Sequence, residues 1–240
     1  MNHVDTLPAT RSDTSPANAS SAPPRAARLA ALGAVAGPVL FTLAWIVLGF
    51  LSPGYTIYGT RIAPYSPISQ PVSGLGMGVT APYMNAAFVL GAGLLTMIGV
   101  VGVFATLRAY GGQVRRAVCA GLLCLSPLGL GLCGFFTIED PLVHLVGFLL
   151  FVLTPLISFP VAARFLRRVP GWRRFSTALL VAVPATVAML AWFFFSYDQA
   201  AITVGQGISG IPERLLLIEV QAWFVALGWL GYRRATPTLR

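Results

Sequence analysis

Six apolar blocks of about twenty residues each, set apart by arginine clusters, leave this chain one practical way to fold. A helix rises about 1.5 Å per residue, so each block is long enough to cross the roughly 30 Å of hydrocarbon in a bilayer. Inside that layer every backbone N–H and C=O needs an internal partner, which a helix finds along its own length. The blocks read as spans at about 29–51, 83–107, 117–138, 142–163, 175–197 and 213–232. The expected fold class is therefore all-α, a polytopic membrane protein with six transmembrane helices and a long first outer loop. Charged residues make up only 10% of the chain, against about 25% in soluble domains.

The ends of the chain differ from its middle. Residues 1–24 are rich in Ser, Thr, Ala and Pro without apolar periodicity, and are expected to form a disordered cytoplasmic tail. The tail does not read as a cleavable signal peptide, because the first apolar run has full span length. His3 lies in this tail and carries no expected role. Residues 25–235 form the six-helix domain, and 236–240 a second short cytoplasmic tail.

Arginine placement sets the expected orientation. All 16 basic residues are arginine, and the net charge is +9. They recur between spans rather than forming one groove, so nucleic acid is not an expected partner. With the N-terminus inside, the cytoplasmic segments hold Arg11, Arg25, Arg28, Arg108, Arg115, Arg116, Arg164, Arg167, Arg168, Arg173, Arg174, Arg233, Arg234 and Arg240, while the outer side keeps only Arg61 and Arg214. The excess of basic residues on one side predicts both termini in the cytoplasm. Cys119, Cys124 and Cys133 fall in one apolar block with no CxxC spacing, so they read as small buried hydrophobes. Gly33 and Gly37 share a face that permits close helix contact, and Pro38 is expected to kink the first span.

Polar residues concentrate on the expected outer side. The loop Ser52–Asn85 carries hydroxyls, prolines and glycines with the single charge Arg61. Ser66-Pro67 reads as the start of a short helix with Ile68, Val72 and Leu75 on its inner face, limited by Pro71. Asp140 and His144 are four apart at the start of the fourth span, hence on one helix face, and Glu213-Arg214 opens the sixth. The candidate catalytic set is His144 as general base, Asp140 as its orienter, Arg214 to hold a phosphate or oxyanion, and Glu213. The candidate binding set is Ser66, Ser69, Ser73, Asn85 and Glu219. Each has a plainer reading. Asp140 before Pro141 and Glu213 after Pro212 suit helix starts, and Arg214 suits an acid or a lipid phosphate. His144 suits a hydrogen bond to Asp140 or the loop. Glu219, buried in a span, suits a protonated form or a bond to a neighbouring hydroxyl. With His144 the single histidine near the candidate site and no HxxxH or HExxH, no metal is expected, and no dinucleotide or Walker motif points to a cofactor. No serine sits in a GxSxG elbow.

The segments YSPISQPVSGLGMGVTAPYMNAAFVLGAGLL, EDPLVHLVGF and GIPERLLLIEVQAW together resemble a bacterial and archaeal membrane-protein family, domain of unknown function 998. The likeness spans about residues 28–234. By resemblance, the family's loop serines fall on Ser66, Ser69 and Ser73, and its polar residue on Asn85. Its acid-then-histidine turn falls on Asp140 and His144, its Glu-Arg pair on Glu213 and Arg214, and a later tryptophan on Trp223. Gly74 departs from the pattern, since many relatives carry an acid there. The resemblance implies six spans and a bacterial cell membrane, and brings no activity with it.

Three functions remain open from the sequence. One is a non-catalytic sensor, assembly or partner-binding protein. The second is an enzyme acting on lipid or a lipid-linked envelope precursor. The third is a small-solute or proton-coupled transporter, which the apolar inner halves of the spans disfavour. Membrane lipid is the expected partner, with a lipid-linked or small-molecule ligand as the expected occupant of any site; the oligomeric state is open. If His144 and Arg214 are functional, their alanine variants are expected to fold.

Overall fold

The structure is a computed structural model that describes residues 24–234. The expected tails, His3 included, lie outside the described residues apart from Pro24. Six helical segments are long and apolar enough to cross a membrane: Arg25–Leu51, Gly78–Thr106, Gln113–Phe135, Pro141–Leu166, Arg173–Ser196 and Gly210–Arg234. The all-α architecture of six transmembrane helices is as the sequence predicts, with the second span the most enclosed.

Glycine decides how closely the spans approach. An ideal Cβ on Gly99 would lie 1.8 Å from the Ala34 amide nitrogen, and one on Gly33 would lie 2.4 Å from the Leu95 carbonyl oxygen. The first and second spans therefore meet backbone to backbone, as small-residue stripes in membranes allow. The first span breaks at Leu32 and then runs on as a helix over Gly33–Leu51, so the helix passes through Pro38, which is buried. The second span contains a wide turn, a π-helical stretch over Ala87–Leu95. Thr96 Oγ1 donates to the Gly91 carbonyl at 3.2 Å and partners one of the carbonyls displaced there. The third and fourth spans meet at Gly129 and Gly147, where a Cβ on Gly129 would lie 2.4 Å from the Gly147 carbonyl.

Two ends of contrasting character result. The arginine-rich end gathers the start of the first span, the end of the sixth and the turn before the fifth: Arg28 lies 5.1 Å over the Tyr232 ring and Arg234 5.3 Å over Trp172. The opposite end, called here the loop end, carries Arg61 and Arg214 alone among the described arginines. A small antiparallel hairpin forms there, β1 Tyr55–Ile57 and β2 Thr60–Ile62, with Tyr55 opposite Ile62. Its two-residue turn, Tyr58-Gly59, has positive φ at both positions (48° and 79°), which is the turn whose twist suits a tight hairpin. The sequence expectations assigned no regular structure to Tyr55–Ile62, and the hairpin was not anticipated.

The helix expected from Ser66 is cut to one turn, closed by Gln70 N–H to the Ser66 carbonyl at 2.9 Å. Pro71 has no N–H and disfavours the helical conformation at Gln70, so the chain leaves that turn and re-forms a 3₁₀ turn at Val72–Gly76. Val72 and Leu75 are buried as expected, but Ile68 is exposed, because the break at Pro71 rotates it off their face.

Candidate functional site

The start of the sixth span is laced to the loop by a dense set of hydrogen bonds. Gly210 N–H donates to the Ile68 carbonyl at 2.9 Å, and Ser209 Oγ to the Ser69 carbonyl at 2.8 Å. Arg214 Nη1 donates to the carbonyls of Pro67 (2.7 Å), Gln70 (2.9 Å) and Gly210 (2.8 Å), and its Nη2 donates to the Tyr65 hydroxyl. That guanidinium is buried and lies 5.5 Å over Trp45. Gly210 permits the approach: a Cβ there would lie 2.5 Å from both the Pro67 and Gln70 carbonyl oxygens. Gln70, fully buried, holds the turn from within, donating to the Pro64 carbonyl and accepting from the Ser66 N–H.

This arrangement corrects two sequence expectations. Arg214 does not stand ready for a phosphate: both Nη groups donate to the Pro67, Gln70 and Gly210 carbonyls and the Tyr65 hydroxyl, while its buried Nε has no partner among the described residues, so the side chain pins the loop to the sixth span. An alanine there is consequently expected to damage the fold rather than spare it. Asp140 does not orient His144 either. The third span ends at Phe135, earlier than Ile138, and leaves the Phe136 carbonyl free. His144 Nδ1 lies 2.8 Å from that carbonyl. A carbonyl only accepts, so Nδ1 carries the proton, and Nε2 is the basic nitrogen of the neutral ring. Asp140 meets His144 only through its backbone carbonyl, which accepts from the His144 N–H at 3.0 Å, and its side chain is exposed.

Beneath the hairpin lies a cavity of about 510 Å³ bounded by the fourth, fifth and sixth spans. His144, Glu213 and Ser73 all line it, so three of the nine candidate residues meet at one cavity. Glu213 is buried, and its Oε2 accepts the Val72 N–H at 2.7 Å, another latch between loop and sixth span. Tyr55, Tyr58, Tyr197 and Gln199 also line the cavity and were not singled out from the sequence. The alternating pattern of Tyr55–Ile62 about Tyr58-Gly59 is the signal that reveals the first two. Burial, and after it the nearby Glu213 carboxylate, pushes the Tyr55 phenol up to about 12, and the same causes raise Tyr197. Both phenols thus stay neutral hydrogen-bonding groups at neutral pH. The remaining lining is apolar apart from Thr60 and Thr203, and two of its members, Leu145 and Phe194, keep 46% and 51% of their surface exposed. The cavity therefore reaches the apolar flank of the bundle between the fourth and fifth spans.

The other candidates are dispersed. Ser66 and Ser69 belong to the latched turn, and the buried Ser69 Oγ has no partner. Asn85 donates to the Gly76 carbonyl at 3.3 Å and faces a separate depression of about 470 Å³, shared with Arg61 and Glu139. Glu219 sits mid-span, accepting from Thr186 Oγ1 at 2.9 Å and from Trp223 Nε1 at 2.8 Å. This is the neighbouring hydroxyl its sequence position called for. Gly74, where the resemblance leads one to look for an acid, lies against Tyr55: a Cβ would be 2.8 Å from its ring.

Comparison with known proteins places this architecture. No curated protein and no solved structure matches the chain. Residues 35–230, most of the chain and all of the loop-end site, match the family model described as protein of unknown function (DUF998). The six-span bundle, with its latched loop and its Glu-Arg pair at the sixth span, belongs to that family.

Proposed function

We propose that this protein is a non-catalytic binding protein of the cell membrane, which takes one lipid-like molecule into the cavity under its latched loop. The observation that carries the reading is the cavity's composition. An apolar wall (Ile57, Leu145, Phe148, Phe193) adjoins Glu213, His144 and Ser73, so one side suits a hydrocarbon chain and the other a polar head. The half-exposed Leu145 and Phe194 give lateral entry from the bilayer. Reading arginine excess as cytoplasmic puts this cavity in the outer leaflet. Sensing or assembly is the role that fits, with the occupied lid as the surface a partner would read.

The test is the lipid that travels with the protein. Wild type purified in mild detergent is expected to carry about one lipid per chain by native mass spectrometry, and Leu145→Trp, which fills the mouth, to carry none. Equal occupancy in both would refute the reading. Orientation is checked separately by placing Thr56→Cys on the exposed strand β1. A membrane-impermeant maleimide is expected to label it from outside in intact cells, and labelling only after lysis would reverse the topology.

An enzyme acting on lipid or a lipid-linked precursor is the second reading, favoured by His144 and Glu213 lining one cavity. It stands without Asp140 and Arg214, and a co-purified lipid chemically identical in wild type and His144→Ala would sink it. A proton-coupled path has less support, since both Glu219 oxygens are engaged by Thr186 and Trp223.

A further inference from the structure

The cavity's charge is one-sided. Its lining contains the carboxylate of Glu213 but neither lysine nor arginine. Arg214, adjacent in sequence, turns its guanidinium to the carbonyls of Pro67, Gln70 and Gly210. Glu213 is 6% exposed, and its one described hydrogen bond comes from a neutral backbone N–H. Among the described residues no basic side chain pairs directly with that carboxylate, and the Arg214 charge reaches it only at longer range. Next to it runs a row of rings: Phe148 and Phe193 have centroids 5.3 Å apart, and Phe193 and Tyr197 5.6 Å. All three line the cavity. Aromatic faces carry negative potential and attract ammonium groups, the more so away from water.

Resting on the lipid-binding reading above, we propose that the occupant's head is a cation: the cavity is a site for an alkyl-ammonium amphiphile, whose nitrogen sits between Glu213 and the Phe193–Tyr197 rings. Its chain runs out past Leu145 and Phe194. An anionic phosphate head is disfavoured there, because it would meet the carboxylate with no lysine or arginine, and only the His144 imidazole, to offset it.

The experiment measures saturable binding of radiolabelled dodecyltrimethylammonium to the full chain in nanodiscs, competed by unlabelled dodecyltrimethylammonium, glycerol monolaurate or dodecyl phosphate. One ammonium site per chain is expected, at least about tenfold tighter than the neutral competitor, a preference one ion pair or cation–π cage readily supplies. Dodecyl phosphate is expected not to compete. In Glu213→Gln the amide oxygen still accepts the Val72 N–H, so the latch holds while the ammonium preference disappears and neutral binding persists. Should that variant fail to fold, Phe193→Leu carries the same test, read as a lower ratio of ammonium to neutral affinity; an unchanged ratio counts against the cationic head. Equal binding of ammonium and neutral probes in wild type overturns the cationic-head proposal and leaves the lipid site standing. No saturable binding of any probe overturns both.

Discussion

Replacing Arg214 with alanine is expected to lift the loop off the bundle and destabilise the protein by about 3–5 kcal/mol, the range for removing one partner from a buried charged constellation. Three carbonyls and the Tyr65 hydroxyl all receive that one guanidinium. Without it they are left in a site too enclosed for water to replace every bond. The loss is large against a typical stability of about 5–15 kcal/mol. It should appear as a lower melting temperature in detergent, together with new protease cleavage between residues 63 and 72. Lysine is expected to rescue only in part, because a single ammonium lacks the planar fork that reaches Tyr65 and the carbonyls together. An alanine variant with wild-type melting and an uncleaved loop would show that the pin is dispensable.

The second large effect lies in the bundle. Gly99→Leu is expected to abolish monodisperse protein, because even its Cβ would fall 1.8 Å from the Ala34 amide nitrogen and 2.5 Å from Ala34 Cβ. No side-chain rotation relieves a clash with backbone; the first two spans must part, and the loss should exceed the ~1–3 kcal/mol usual for an overfilled core. Gly121→Leu is the control. Nothing lies within 4 Å of a Cβ there, so helix propensity alone acts and the change is expected to be neutral or stabilising by up to about 1 kcal/mol. Size-exclusion profiles of the two variants decide the matter, and indistinguishable profiles would contradict the close crossing.

Which parts were legible in the sequence follows from what each depends on. The spans depend on local apolar length alone, and Gly33 and Gly37 declared their contact face by spacing. The roles of Arg214 and His144 depend on backbone atoms far away in sequence. A lone arginine after a glutamate looks the same whether it faces a phosphate or the carbonyls of Pro67 and Gln70. The spacing of Asp140 and His144 rightly put them one turn apart. What spacing does not reveal is that the third span ends at Phe135 and offers the Phe136 carbonyl to the imidazole first. The hairpin went unread, because two three-residue strands about Tyr58-Gly59 leave too weak a pattern. Glu213, His144 and Ser73 fall at one end of the bundle by sequence, and all three line the cavity.

The most direct measurement is a cryo-electron microscopy map of the full chain in lipid nanodiscs. Elongated non-protein density is expected under the hairpin, its head against Glu213 and the Tyr197 ring and its tail leaving between Leu145 and Phe194. A well-resolved map in which side chains collapse into that space, or in which the only lipid density lies on the outer flank of the bundle, would contradict the proposed site.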